Sequence, residues 1–234
     1  MSTLRGCFVT GTDTEVGKTQ ISTALLTWLQ RQGLRAAGYK PVASGMEVDA
    51  QGRWYNDDVR RMQAVSPSSV GHYLLKTACA PHIAARLEGV ALERAAVWQR
   101  AQQLQSQVQV LVAEGAGGVH VPLGVDWDSA DMMADLGLPV VLVVGLRLGC
   151  INHATMSAQA VRLRGLHLAG WVGNQVGAQP MAYQTENIAT LQQLMQQHFN
   201  APCLGIVPHL QAGQQAVDYL NSTMLHQLFQ QEQA

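Results

Sequence analysis

Residues 6–19 read GCFVTGTDTEVGKT, and this stretch decides the fold. Gly6–Thr10 is a short apolar run of the strand type. Lys18–Gln32 then carries helical periodicity, with Ile21, Leu25, Leu26 and Leu29 on one face and Gly33 placed to stop it. Between strand and helix lies a glycine-bearing loop that ends in Gly-Lys-Thr. A bent loop aims backbone N–H groups inward, and the helix N-terminus adds positive dipole character, so this order makes an anion cradle. Gly11–Thr19 is therefore expected to hold a nucleoside triphosphate. Lys18 supplies a point charge for the terminal phosphates, and the Thr19 hydroxyl can become a ligand of Mg2+. The loop departs from the usual spacing. Five residues separate Gly11 from Gly17, and Thr12 stands where the first glycine normally does.

Outward from this loop, apolar runs alternate with helical patterns. Leu34–Val42, Gln109–Ala113, Pro139–Val144, Leu166–Val172 and Cys203–Val207 read as strands. Leu92–Gln107, Ser129–Leu136, Ile151–Arg164, Gln184–Phe199 and Gln214–Gln231 read as helices. The alternation predicts an α/β fold: a three-layer α/β/α domain with a mostly parallel sheet, like phosphate-loop NTPases. Val140–Val144 is apolar throughout, which suits an internal strand. Met46–Ser69 is polar and reads as an irregular excursion near the carboxyl edge of the sheet. The glutamine-rich Gln192–Gln197 and Gln227–Gln233 read as solvated helix faces. No linker composition divides the chain, so residues 1–234 are expected to form a single domain.

Composition narrows the function. Hydrophobic residues make up 47% and charged residues 13% of the 234, enough for a large core. The formal net charge of −1 gives no global attraction to nucleic acid or membrane. The apolar run Leu138–Leu148 is too short to span a bilayer, and Met1–Thr10 has no secretion-signal pattern. Cys7, Cys79, Cys150 and Cys203 are scattered, which favours neither a disulfide framework nor a zinc knuckle. A cytoplasmic protein is expected.

A magnesium–triphosphate site needs oxygen ligands besides one threonine. Glu114 closes an apolar strand and opens EGAGG, at the sheet edge where the loop lies. Asp58 lies in the polar excursion beside Asp57. Lys40 stands in GYKPVASG after the second strand, where Pro41 holds an extended path toward the same edge. Two lysines beside one triphosphate suggest that a second anion approaches the γ-phosphate. Gly115–Gly118 permits close backbone approach to a ligand.

GTDTEVGKT, GYKPVASG, EGAGG, LGCINHA (Leu148–Ala154) and AGWVGN (Ala169–Asn174) stand in this order, and together they resemble the dethiobiotin synthetases. The resemblance runs from Thr10 to about Leu210, and the longer loop is that family's form. It implies an ATP- and Mg2+-dependent ligase that joins CO2 to 7,8-diaminononanoate and closes a cyclic urea, working as a homodimer. It implies catalytic roles for Lys18 and Lys40, and substrate contacts from Ser44, Thr14 and, across the dimer interface, Asn152. ATP would be wrapped by Glu15, Val16, Gly17, Lys18, Thr19 and Gln20, with Glu114, Gly115, Ala116 and Gly117 close by. Thr19, Asp58 and Glu114 would hold the metal. Asn174, Gln175, the Pro208, His209 and Leu210 loop, and Gln215 would surround the base. Gln175 stands where that family commonly has an acid and Gln215 where another can occur, and an aromatic residue expected near Asn187 is missing, though Tyr183 lies close.

Two other readings compete. A nucleotide switch of the same fold often carries an early lysine in the loop, where this chain has Asp13, and no Asn-Lys-x-Asp motif is present. A carboxylate-activating amidotransferase would need an ammonia route, and no nucleophilic Cys–His arrangement is evident.

Overall fold

The computed structural model describes residues 4–68 and 70–230. Residues 1–3, Ser69 at the end of the expected excursion, and residues 231–234, where the expected last helix and glutamine-rich stretch end, lie outside the described residues.

The chain runs β1 (Gly6–Gly11), α1 (Lys18–Arg31), β2 (Ala36–Ser44), β3 (Glu47–Val48), β4 (Trp54–Tyr55), α2 (Asp57–Gln63), β5 (Gly71–Leu75), α3 (Pro81–Leu87), α4 (Arg94–Gln105), β6 (Val110–Glu114), α5 (Ser129–Leu136), β7 (Val140–Gly145), α6 (Cys150–Leu163), β8 (Leu168–Asn174), α7 (Gln184–Phe199), β9 (Cys203–Val207), a 3-10 turn at Ala216–Tyr219, and α8 (Ser222–Gln230). Seven strands form one sheet in the order β5-β2-β6-β1-β7-β8-β9, every pair parallel. Parallel strands need crossover helices, and these cover both faces. One layer holds Ile21, Leu25 and Leu29 of α1, Met62 of α2 and Leu225 of α8. The other holds Ala101 and Leu104 of α4, Met133 of α5, Ala154 and Ala158 of α6, and Leu191 of α7. This is the three-layer α/β/α fold expected. No helix among the described residues is long and apolar enough to cross a membrane.

Three expectations are corrected. The excursion Met46–Ser69 is not irregular: it holds the antiparallel ribbon β3–β4 and the helix α2. Its helix is begun by Asn56, whose side chain accepts from the Val59 N–H, and one buried residue, Met62, anchors it. Such a short polar helix has too little apolar periodicity to read in advance. Gly71–Leu75 is a seventh strand at the sheet edge, half exposed and brief, as edges often are. The expected helix Gln214–Gln231 is a 3-10 turn followed by the shorter α8.

Lys40 also lies inside β2 rather than after it, because the strand continues through Pro41 to Ser44. Pairing of β2 with β6 ends at Tyr39↔Ala113, while pairing with β5 continues to Ser44↔Leu75. Pro41, which has no N–H to donate, is tolerated where the β6 side of the strand has been released.

Candidate active site

The strand order places the carboxyl ends of β2, β6 and β1 side by side, in that order. The phosphate loop leaves β1 there, Glu114 ends β6 there, and Lys40 reaches the same place from β2.

The loop is locked by local packing. Thr12 N–H donates to the Val143 carbonyl at 2.9 Å, which ties the loop to β7. Val16 is buried and fills the space above two glycines. A Cβ at Gly11 would come within 2.7 Å of its Cγ2, and one at Gly145 within 2.9 Å of its Cγ1. Gly17 turns the chain into α1 at φ +92°, and a Cβ there would meet Asn174 Nδ2 at 2.2 Å. Only glycine meets both demands. Asn174 Nδ2 in turn donates to the Val16 carbonyl at 3.0 Å.

Behind the loop, four side chains meet. Thr19 Oγ1 lies 2.6 Å from Asp58 Oδ1 and 2.8 Å from Glu114 Oε1. Lys40 Nζ donates to Glu114 Oε1 at 2.5 Å, Asp58 Oδ2 at 3.0 Å and the Gly115 carbonyl at 3.2 Å. Strand alternation puts Lys40 on the face of Gly38, whose lack of a side chain admits Met62 and Leu26 of the covering helices. Lys18 Nζ donates to the Asp13 carbonyl at 2.9 Å, and the Asp13 carboxylate pairs with Arg147.

The charges tune one another. Burial, and then the charge of Lys40, push the Lys18 ammonium down to about 8. Burial would also lower Lys40, but Glu114 and Asp58 together outweigh it and hold Lys40 above the ordinary lysine value. Burial would raise Asp58, but Lys40 and the Thr19 hydroxyl hold it below the usual carboxylate range. Glu114 is fully buried, and its Oε2 has no hydrogen-bond partner among the described residues. Thr19, Asp58 and Glu114 form an all-oxygen donor set of the kind hard divalent cations take. No cluster of three or more His, Cys, Asp or Glu side chains among the described residues forms a closed metal cage. The set therefore suits a cation that completes its shell with phosphate oxygens and water.

These groups open on a cavity of about 840 Å³. Of the residues expected from sequence, Thr14, Glu15, Gly17, Lys18, Thr19, Gln20, Lys40, Ser44, Asp58, Ala116 and Gly117 line it. Ser44 Oγ donates to the Cys79 carbonyl at 2.7 Å. Asn174 stands on the other side of the loop, buried, its Oδ1 having no hydrogen-bond partner among the described residues. Beside it, Gln175 N–H donates to the Val207 carbonyl, and Pro208, His209 and Leu210 follow directly after β9. Gln175 itself donates to the Gly177 carbonyl and accepts from Gln184. Asn152 is exposed on the first turn of α6 and is not part of the cavity lining. Gln215 is not brought to the loop. Its Oε1 accepts from Arg31 Nη2 at 2.8 Å, at the last residue of α1, about 20 Å along the helix from Lys18.

Sequence reasoning missed Arg61, Val121 and the Ala78–Pro81 stretch, all of which line the cavity. A helical reading of residues 57–63 would have put Arg61 one turn beyond Asp58 on the same face.

Known proteins resemble this chain in sequence and in fold. A family model described as an AAA domain matches residues 5–216. The ATP-dependent dethiobiotin synthetase BioD of Aromatoleum aromaticum is 45% identical over 215 residues, covering 90% of this chain and 93% of that protein. The protein of the same name from Janthinobacterium sp. (strain Marseille) is 45% identical over 220 residues, covering 91% of each. The cell division ATPase MinD of Pyrococcus furiosus superposes with a TM-score of 0.55 at 12% identity, covering 98% of this chain and all of that one. The signal recognition particle receptor FtsY of Elizabethkingia anophelis, in complex with GDP, gives 0.51 at 14% identity, covering 98% of this chain and 64% of that one. The last two likenesses show the fold alone. With a phosphate loop facing paired acids and a buried lysine, and relatives 45% identical along nine-tenths of its length, the chain belongs to the ATP-dependent dethiobiotin synthetase family.

Proposed function

We propose that this chain carboxylates 7,8-diaminononanoate with CO2, phosphorylates the resulting carbamate from ATP, and closes the cyclic urea of dethiobiotin, releasing ADP and phosphate. One observation carries the reading: Lys18, Lys40, Thr19 and Asp58 line one cavity, with Glu114 bonded behind Thr19 and Lys40, in a chain of this family.

The chemistry needs few protein bonds and much screening of charge. A neutral amine adds to CO2 and loses a proton, giving a carbamate. A carbamate oxygen then attacks the γ-phosphorus and ADP departs. The second amine attacks the carbonyl carbon of this mixed anhydride, phosphate leaves with the bridging oxygen, and the ring closes. Two anions must therefore approach each other before phosphoryl transfer. Lys18, on the loop, follows the γ-phosphate. Lys40 holds the carbamate and the transferring group. Ser44 and Thr14 line the wall where the diamine would lie. Glu15–Gln20 and Glu114–Gly117 enclose the phosphates, and Asn174, Gln175, Pro208, His209 and Leu210 flank the base, the free Oδ1 of Asn174 being an acceptor for an exocyclic amine. Gln215 approaches the base only if its contact with Arg31 opens.

Thr19, Asp58 and Glu114 fit Mg2+, since their oxygens already cluster and Glu114 Oε2 is buried without a partner among the described residues. Mg2+ bound there would neutralise phosphate charge. We read the chain as one domain over residues 1–234 that acts as a cytoplasmic homodimer. Its four free cysteines suit a reducing compartment, and exposed Met156 lies one turn beyond Asn152 on α6, with exposed Leu148 just before the helix. The decisive assay is phosphate release from ATP, which must require both the diamine and bicarbonate or CO2. Hydrolysis independent of both and stimulated by DNA or vesicles would overturn the reading in favour of a nucleotide switch.

A further inference from the structure

Arg61 is the one cation lining the cavity that neither the sequence motifs nor the reaction above employs. Its root is fixed. Asn56 caps α2 and also donates to the Gly45 carbonyl at 3.0 Å, while Met62, the next residue, is fully buried against α1. Arg60 beside it is already engaged, paired with Asp57 at 2.6 Å and stacked over the Tyr55 ring at 4.2 Å. The Arg61 side chain is exposed, and among the described residues it has neither an ion pair nor a hydrogen bond. Glu15 also lines the cavity, and no ion pair joins the two.

Position on the helix sets what Arg61 can meet. It lies three residues after Asp58, hence on the same face and one turn along. Asp58 touches Thr19 and Lys40, so that face looks onto the end of the cavity where the terminal phosphates are expected. Asn174, at the base end, lies across the loop on β8. Charge points the same way. Lys40 is paired with both Asp58 and Glu114, so its charge is already taken up before any anion enters. A guanidinium is always charged and presents a planar fork that suits two phosphate oxygens.

We propose that Arg61 contacts the γ-phosphoryl group of ATP, as a third cation beside Lys18 and Lys40, and so distinguishes triphosphate from diphosphate. This rests on the proposed nucleotide placement and needs no turnover to test. Calorimetry with Mg2+ would compare a non-hydrolysable ATP analogue with ADP on the parent, Arg61→Ala and Arg61→Lys. Arg61→Ala is expected to weaken the analogue about tenfold while leaving ADP within about threefold, and Arg61→Lys to restore part of the loss. Unchanged melting temperatures would show that the exposed position is not structural. Equal weakening of both nucleotides, or of neither, would overturn the assignment. Failure of the parent to release phosphate with diamine and bicarbonate would overturn the proposed reaction instead, leaving the Arg61 comparison readable.

Discussion

The Lys40 ammonium lies 2.5 Å from the Glu114 carboxylate, and the two side chains are 2% and 0% exposed. A pair so buried cannot be separated into two independent charges. Removing one partner leaves the other charged in a largely buried site without its counter-ion. Lys40→Met is expected to cost about 3–5 kcal/mol in urea unfolding, and Lys40→Met with Glu114→Gln to cost much less. Additive costs in the double variant would show that the pair is not coupled.

Lys40→Gln keeps a hydrogen-bond donor and removes the charge. If Lys40 acts on the reacting anions, turnover should fall about 100-fold or more while ATP affinity stays within a few-fold. Steady-state kinetics beside nucleotide calorimetry separates these. A large loss of affinity with intact turnover at saturation would remove the role.

Gly17→Ala tests the loop. The new methyl would meet Asn174 Nδ2, and φ +92° is strained for any residue with a Cβ. The strain should cost about 1–3 kcal/mol of stability. Displacement of the loop N–H groups should weaken ATP about tenfold or more. Adding Asn174→Ala relieves the clash but not the dihedral, so only partial recovery is expected in thermal melts.

Asp128 caps α5 through a reciprocal pair of bonds with Asp131, both 2.9 Å. Burial would raise its carboxyl, but His120 and the Asp131 N–H hold it below the ordinary aspartate value. A folded-state value below the unfolded one adds stability that is present above the unfolded value, near 3.9, and lost as pH falls through the folded one. Asp128→Ala should therefore cost about 1 kcal/mol at neutral pH, with the gap to the parent closing below about pH 4. A constant gap down to pH 2.5, measured by denaturant midpoints, would rule out the charged cap as its source.

How far the sequence could be read follows from how each residue acts. Gly17, Lys18 and Thr19 are contiguous, so their joint role is visible in one dimension. Glu114 is visible because an acid that ends an apolar strand has few other uses. Asp58 could not be told from Asp57 by composition. The helix decides: Asp57 turns out to Arg60, and Asp58 turns in to Thr19 and Lys40. Gly71–Leu75 was invisible because an edge strand needs only one good face, and its pairing with β2 lies more than thirty positions away in sequence. Gln215 shows the converse. Its link to the base rests on family position alone, and its side chain accepts a hydrogen bond from Arg31 at the end of α1.

Val16, wedged above Gly11 and Gly145 and tied through its carbonyl to Asn174, bears on how fast nucleotide loads. A loop held in its receiving shape by the floor of the sheet has little freedom left to surrender when ligand arrives. Association should then be governed by encounter and electrostatic attraction, with a rate that varies with ionic strength rather than with a slow unimolecular rearrangement. The same staple joins the strand that carries Asn174 to the turn at Gly17, so both ends of a bound nucleotide would rest on a single rigid body.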